Sequence, residues 1–207
     1  MGIAEDVAGA VRAHPAVRDV RLVGSRSRGD ATELSDWDFQ VTADDFGGIS
    51  RDLPGLVGRF DPLAAQWDRL RDHECFLLMV DGPTKIDLIF ADVSRSRYPP
   101  WRVGPDTLPG IDAQFWDWML WLAGKRRRGK RDLVRVELYK MHEHLLAPMG
   151  VAAVPVTLGE AVECYRRVRL RLERRYGQHL PRRLEEAVLP VVLAPLDDYY
   201  RPFHRAQ

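Results

Sequence analysis

A small-residue turn and a pair of acids share one run of the sequence, Gly24-Ser-Arg-Ser-Arg-Gly-Asp-Ala-Thr-Glu-Leu-Ser-Asp-Trp-Asp38. Residues 17–23, just before it, alternate apolar and polar side chains, which predicts a half-buried strand that ends at the Gly24-Ser25 pair. A helix beginning at Ser25 would present free backbone N–H groups at the end of that strand, and such groups bind phosphate. Arg26 and Arg28 would add positive charge there. The Gly-Ser pair alone is also consistent with a plain turn.

Asp36 and Asp38 are the first two members of a candidate metal site. They are two residues apart in a predicted strand at residues 35–41, so both side chains would lie on one face, roughly 7 Å apart along the chain. Asp87 interrupts the apolar run 85–90 in the same way. If the two strands are neighbours, the three carboxylates repel each other, and a divalent cation with oxygen ligands, Mg2+ or Mn2+, removes the conflict. Each acid taken singly is also explained as a surface aspartate on an amphipathic strand.

Hydrophobic periodicity divides the chain into an α/β first half and an all-α second half. The first half is expected to hold a helix at 3–13, strands at 17–23 and 35–41, a helix at 49–57, and paired strands at 74–80 and 85–90 joined by Asp81-Gly82-Pro83. A linker or crossing loop is expected at 94–110, around Tyr98-Pro-Pro-Trp101. Helices are then expected at 111–124 (buried and rich in tryptophan), at 131–146, from the capping box Thr157-Leu-Gly-Glu160 to Tyr176, and from Pro181 to Pro190 or Pro195.

The run 24–38 resembles the signature of the DNA polymerase beta-type nucleotidyltransferase superfamily, in which a Gly-Ser turn precedes Asp-x-Asp and a later strand carries a third carboxylate. It is nearest to the minimal and the aminoglycoside nucleotidyltransferases, and the resemblance covers roughly residues 17–91. It implies an α+β fold: a small mixed nucleotidyltransferase sheet with flanking helices, then an all-α helical bundle similar to that of aminoglycoside adenylyltransferases. The division expected is a catalytic domain at 1–110 and a helical substrate-binding domain at 111–207.

The resemblance also implies an activity: transfer of a nucleoside monophosphate, AMP from ATP, to a hydroxyl of a small molecule such as an aminoglycoside or a lincosamide. Asp36 and Asp38 would hold Mg2+ or Mn2+, and Asp87 would complete a second metal site or remove the acceptor's proton. The triphosphate would lie against Gly24, Ser25 and Arg28. Ser35 would brace the loop.

Two basic features of the second half allow alternative interpretations. Lys140 shares a predicted helix face with Glu137 and His144. By resemblance Lys140 contacts the triphosphate and Glu137 is an alternative base, whereas a solvated ion pair is the other explanation. The run Lys125-Arg-Arg-Arg-Gly-Lys-Arg131 is interpreted as a solvated loop at a helix C-terminus, where cations offset the helix dipole, in preference to a phosphate contact.

Composition excludes several classes of protein. The chain has 31 Lys and Arg against 30 Asp and Glu, so its net charge of +1 predicts no nucleic-acid partner. With no signal-peptide pattern and no window of about 20 apolar residues, a cytoplasmic protein with no membrane partner is expected, and Cys75 and Cys164 are expected to be reduced. Two alternatives to a small-molecule transferase are a protein- or RNA-modifying minimal nucleotidyltransferase of the toxin–antitoxin type and a non-catalytic nucleotide-binding module. The sequence does not predict the acceptor, the preferred base or the oligomeric state.

Overall fold

The structure, a computed structural model, describes residues 2–95 and 100–195. Within these ranges the chain forms five β-strands and seven α-helices. The strands are β1 (Val17–Val23), β2 (Trp37–Ala43), β3 (Ala64–Trp67), β4 (His73–Val80) and β5 (Thr84–Ser94). The helices are α1 (Ile3–Arg12), α2 (Gly24–Arg28), α3 (Phe46–Gly58), α4 (Leu108–Arg127), α5 (Arg131–Met141), α6 (Leu158–Tyr176) and α7 (Arg183–Leu193). A π-helical turn, His142–Leu146, follows α5 directly.

The five strands form one mixed sheet in the order β1-β2-β5-β4-β3. Strands β2 and β5 run parallel, and the other neighbouring pairs are antiparallel. In the parallel pair Asp38 lies opposite Asp87 and Trp37 lies opposite Ile86. The sheet with its helices confirms the predicted α+β class, and the neighbouring positions of β2 and β5 are what the metal-site prediction required.

Strand β2 begins two residues later than predicted. Residues before it form a turn in which the Ser35 backbone N–H donates to the Thr32 carbonyl at 3.0 Å. The Ser35 hydroxyl also accepts from the Thr32 backbone N–H at 2.8 Å. Because this turn fixes Ser35 outside the ladder, Asp36 lies at the entrance of the strand while Asp38 lies within it.

Other elements also differ in part from the predictions. Helix α3 begins at Phe46, three residues early, because the Asp45 side chain accepts from the Gly48 backbone N–H at 2.9 Å and caps the helix. Strand β3 is short, pairs with β4 and was not predicted. The last helix was predicted to end at Pro190 or Pro195, and the structure agrees with the second, since α7 continues through Pro190 to Leu193 and has Ala194 as its C-cap.

The tryptophan-rich helix α4 is longer than predicted, extending from Leu108 to Arg127. The expected helix 131–146 is present, but its last five residues form the π-helical turn. Helix α6 begins at the predicted cap, where the Thr157 hydroxyl accepts from the Glu160 backbone N–H at 3.1 Å. The Tyr98-Pro99 part of the expected crossing loop, and residues 196–207 of the expected helical domain, lie outside the described residues.

Buried apolar side chains form two clusters. One joins α1 and α3 to the sheet, and the other joins the helices α4 to α7 with Ala64 and Met79 of the sheet. Helix α4 thus packs between the sheet and the later helices, with Phe115 stacked on Tyr165 at a ring-centroid distance of 3.8 Å. None of the helices in the described ranges combines the length and the apolar composition needed to cross a bilayer. Both Cys75 and Cys164 are free thiols, as expected. The division at residue 110 stays a prediction.

Candidate active site

The three predicted carboxylates converge. Asp36, Asp38 and Asp87 each offer a carboxylate oxygen, and these oxygens all lie within 4.8 Å of one another. The parallel register of β2 and β5 brings Asp38 beside Asp87, and the two-residue spacing brings Asp36 to the same side. The spatial part of the metal-site prediction is therefore confirmed.

Burial disfavours the charged forms of the carboxylates in this cluster. Asp87 is fully buried, and that burial raises its pKa to about 7, against the opposing pull of Lys85 and Arg71. Burial, together with the neighbouring Asp36, also raises the pKa of Asp38. One oxygen of Asp87, Oδ1, is buried without a hydrogen-bond partner among the described residues. Burying a carboxylate oxygen without a partner costs free energy, and a bound cation would offset that cost.

Two cations that the sequence analysis did not assign lie against the carboxylates. The Lys85 ammonium is 3.6 Å from Asp87 and 3.9 Å from Asp36. The Arg71 guanidinium contacts Asp87 at 2.5 Å. Lys85 stands two residues before Asp87 on β5, so strand periodicity alone would have placed it on the same face. Arg71 lies in the loop between β3 and β4, and in a loop no sequence periodicity predicts which way a side chain points.

Two further acids hold these cations from the other side. Asp117, from the middle of α4, lies 3.0 Å from the Lys85 ammonium, and Asp68 lies 3.2 Å from Arg71. Both acids are buried. The cluster therefore contains five carboxylates and two cations, an excess of negative charge that suits one or two divalent ions.

The Gly24-Ser25 turn lies directly against the acids. Gly24 has a φ of +71°, in the left-handed region, and a Cβ at this position would overlap the Asp38 carboxylate. A side chain is therefore excluded for steric and conformational reasons. Ser25 and Arg28 line the same cavity as the acids. Arg26 instead donates to the Ser35 carbonyl at 2.6 Å and covers the Trp37 ring at 4.2 Å, so it braces the loop.

The basic run at 125–131 is not the solvated loop that was predicted. Its first three residues form the last turn of α4. Arg126 and Arg127 donate to backbone carbonyls near the end of α7, at 2.9–3.3 Å. Lys125 and Arg128 line the cavity, and Arg128 donates to the Ser35 hydroxyl at 2.7 Å. The run divides because α4 turns successive residues toward different neighbours.

The predicted trio on the later helix also faces the cavity. Lys140 and Glu137 form an ion pair at 2.6 Å, and the Trp118 ring N–H donates to Glu137 at 3.2 Å. His144 lines the same wall. Apart from Arg26 and the buried Asp87, the predicted site residues line one cavity of about 620 Å³, between the sheet on one side and α4 and α5 on the other. This volume suits a small-molecule ligand.

The chain matches no protein-family model and has no significant match among curated proteins. Among solved structures it is similar to the polymerase core of TRAMP, a RNA surveillance complex, with 14% identity and a TM-score of 0.35 over 94% of this chain. The chain spans about half of that polymerase chain, 52%. It is also similar to an aminoglycoside 6-adenyltransferase from Bacillus subtilis, with 10% identity and a TM-score of 0.31 over 92% of this chain and 98% of that one. Similarities this low assign no activity, so function is inferred from the cavity itself.

Proposed function

We propose that the chain is a metal-dependent nucleotidyltransferase that moves a nucleoside monophosphate, AMP from ATP, to a hydroxyl of a small molecule. The observation that carries this proposal is the meeting of Asp36, Asp38 and the buried Asp87 beside the Gly24-Ser25 turn, at a cavity that Asp36, Asp38 and the turn line. The resemblance of roughly residues 17–91 to the polymerase beta-type nucleotidyltransferases implies the same residues. Carboxylates for divalent ions and backbone donors for phosphate are the two requirements of phosphoryl-group chemistry.

The donor set fits Mg2+ or Mn2+. It consists of carboxylate oxygens only, one of them unpartnered, in a cluster whose acids outnumber its cations. Asp36, Asp38 and Asp87 are the residues proposed to hold the ion. When bound, it would offset the negative charge that develops on the phosphoryl oxygens and on the leaving pyrophosphate.

The surrounding residues are proposed to bind the triphosphate and to accept the proton of the acceptor hydroxyl. Backbone N–H groups at Gly24-Ser25 would hold the triphosphate, with Arg28 and Lys125 as its cationic contacts. In the reaction the acceptor hydroxyl gives its proton to a carboxylate, Asp87 or Glu137, and its oxygen bonds to the α-phosphorus as the bond to pyrophosphate breaks. Positioning and electrostatic stabilisation supply most of the rate enhancement in such reactions.

The cavity also bears on the two alternatives. A non-catalytic module would have no need for the complete acid trio, which converges here. A protein or RNA acceptor would be expected to use an open surface, whereas Asp36 and Asp38 line a cavity with walls from both the sheet and the helices. A small-molecule acceptor accordingly remains the proposal.

Labelled nucleotides test the proposal. The protein is incubated with Mg2+, each of the four nucleoside triphosphates and a panel of hydroxylated acceptors, and pyrophosphate and labelled product are measured. We expect Asp36→Asn and Asp38→Asn to abolish transfer while their circular dichroism stays that of the wild type. Asp92→Asn, an exposed aspartate on β5, is the matched control and should keep full activity. Transfer that persists in Asp36→Asn or Asp38→Asn would refute the assignment.

A further inference from the structure

Every carboxylate that lines the cavity outside the metal trio already has a cationic partner. The pairs are Asp68–Arg71 at 3.2 Å, Asp117–Lys85 at 3.0 Å and Glu137–Lys140 at 2.6 Å. In the described part of the chain, the wall thus offers no unpaired acid to an incoming ligand. The ammonium groups of a ligand would therefore meet only carboxylates that already form ion pairs with the protein's own cations.

Two cations of the same wall lack a carboxylate partner. Lys125 lies over the Trp121 ring at 4.7 Å, and Arg128 donates to the hydroxyls of Ser35 and Thr32. Neither has an acid within ion-pair distance among residues 2–95 and 100–195. Both lie at the end of α4 that faces Asp36 and Asp38, whose charges act on Lys125. This end of the cavity is therefore suited to the triphosphate.

Another part of the wall combines aromatic rings with an ion pair whose two charges offset each other. It presents Trp118 and Trp121 together with the Glu137–Lys140 pair. An uncharged sugar-like ring matches these groups, because its C–H faces pack on indole rings while its hydroxyls donate to a carboxylate and accept from an ammonium. A polyamine would instead bring like charges close to Lys140 and Lys125 in a partly desolvated space, where such repulsion is strong.

We propose that the acceptor is a hydroxyl compound without ammonium groups, an uncharged polyol or sugar, and not a polycationic aminoglycoside. The inference rests on the proposed transferase function. It narrows the acceptor class that the sequence suggested and assigns a separate part of the cavity to each substrate. Trp118 and the Glu137–Lys140 pair receive the acceptor, and the Lys125 and Arg128 end receives the nucleotide. Lys140, which the resemblance assigns to the triphosphate, is thereby assigned to the acceptor.

The first test separates acceptors by charge. A bacterial small-molecule extract, supplemented with kanamycin and with fully N-acetylated kanamycin in parallel reactions, is passed over a cation exchanger at pH 7. Labelled ATP and Mg2+ then report transfer to the unretained and the retained fractions. We expect labelled product only with unretained or N-acetylated compounds. Product from the retained fraction or from kanamycin would overturn the acceptor assignment and leave the transferase function standing. Absence of product in every reaction would count against both.

Binding gives a second readout that does not depend on turnover. Calorimetry measures the affinity of kanamycin for protein loaded with Mg2+ and a non-hydrolysable ATP analogue, at low and high salt. For the wild type we expect kanamycin to bind no more tightly than its N-acetylated form. Kanamycin binding that is at least about tenfold tighter and weakens with salt would contradict the proposal.

A charge insertion makes this binding test sharper. His144→Glu adds a second acid to a wall where Lys140 already pairs with Glu137, so the wall gains a net negative charge and kanamycin should gain at least about tenfold in affinity. Val136→Glu adds the same charge on the exposed side of α5 and should change nothing. If His144→Glu leaves kanamycin binding unchanged, the missing acid is not what excludes polyamines and the inference fails.

Discussion

At the residue scale, the site depends on the close contact between the backbone of Gly24 and the carboxylate of Asp38. The positive φ of Gly24 turns the chain sharply at the end of β1, and the missing side chain leaves room for the Asp38 carboxylate. The turn proposed to hold phosphate and the acids proposed to hold the metal are therefore fixed relative to each other by one contact. Preorganisation of this kind is what allows an active site to stabilise developing charge.

Replacing Gly24 with alanine should break that contact. The left-handed φ costs an L-residue about 1–2 kcal/mol, and the new Cβ must also displace the Asp38 carboxylate. We expect Gly24→Ala to weaken Mn2+ binding at least about tenfold, which corresponds to about 1.4 kcal/mol, as measured by calorimetry.

Gly29 supplies the matched control. Its φ is +76°, so Gly29→Ala carries a similar backbone cost, but a Cβ there meets nothing within 4 Å. Gly29→Ala should lose stability and keep Mn2+ affinity. Equal loss of Mn2+ affinity in both variants would show that general strain, and not the contact with Asp38, is responsible.

Sequence patterns predicted some site residues and not others, for physical reasons. Asp36, Asp38 and Asp87 interrupt apolar runs of the sequence, so the sequence alone predicts them as site residues. Lys85 shares the strand face of Asp87, and Asp117 is one of two acids in the largely apolar first part of α4, so the sequence pattern indicates both residues. Arg71 lies in a loop, and its contact with Asp87 depends on how that loop folds across the sheet.

At the element scale, helices α4, α6 and α7 are joined by a buried polar network. Arg169 of α6 donates to Asp112 of α4 at 3.0 Å and also pairs with Glu185 of α7. Tyr165 donates its hydroxyl proton to Asp112 as well. All of these groups are buried, so each acid depends on its partner to offset the loss of hydration.

Removing the central cation should destabilise the helical half of the molecule. Arg169→Met leaves Asp112 and Glu185 buried without their shared partner, so the free energy of unfolding in urea should fall by about 3–5 kcal/mol. Arg166→Met is the control. Arg166 also contacts Glu185, at 2.6 Å, but it is half exposed, so its loss should cost no more than about 1 kcal/mol. A small effect of Arg169→Met would show that the network contributes little net stability.

Element boundaries followed the sequence where local chemistry set them. The alternation of residues 17–23 and the cap at Thr157 predicted β1 and the start of α6. Strand β3 was missed because it is a four-residue edge strand with a single buried side chain, Ala64, and its position is set by pairing with β4. The π-helical turn after α5 likewise has no local signal, since residues 142–146 suit an ordinary helix equally well.

At the scale of the whole molecule, the cavity exists because the sheet and the helices meet beside it. The ion pair between Lys85 of β5 and Asp117 of α4 crosses this boundary next to the acid trio. Arg128, just after α4, crosses it again where it donates to Ser35. Nucleotide and metal are thus proposed to bind between two parts of the chain, and neither part alone supplies the full set of groups. The resemblance predicted the acids and the turn. Which charged side chains line the cavity wall depends on how α4 and α5 pack, and the sequence alone does not show this packing.

Anomalous diffraction from crystals soaked in Mn2+ tests the metal site most directly. We expect a Mn2+ peak at coordination distance from carboxylate oxygens of Asp36, Asp38 and Asp87, and its loss in crystals of Asp38→Asn. A peak elsewhere, or none between these acids in protein that binds Mn2+ in solution, would contradict the proposed metal site.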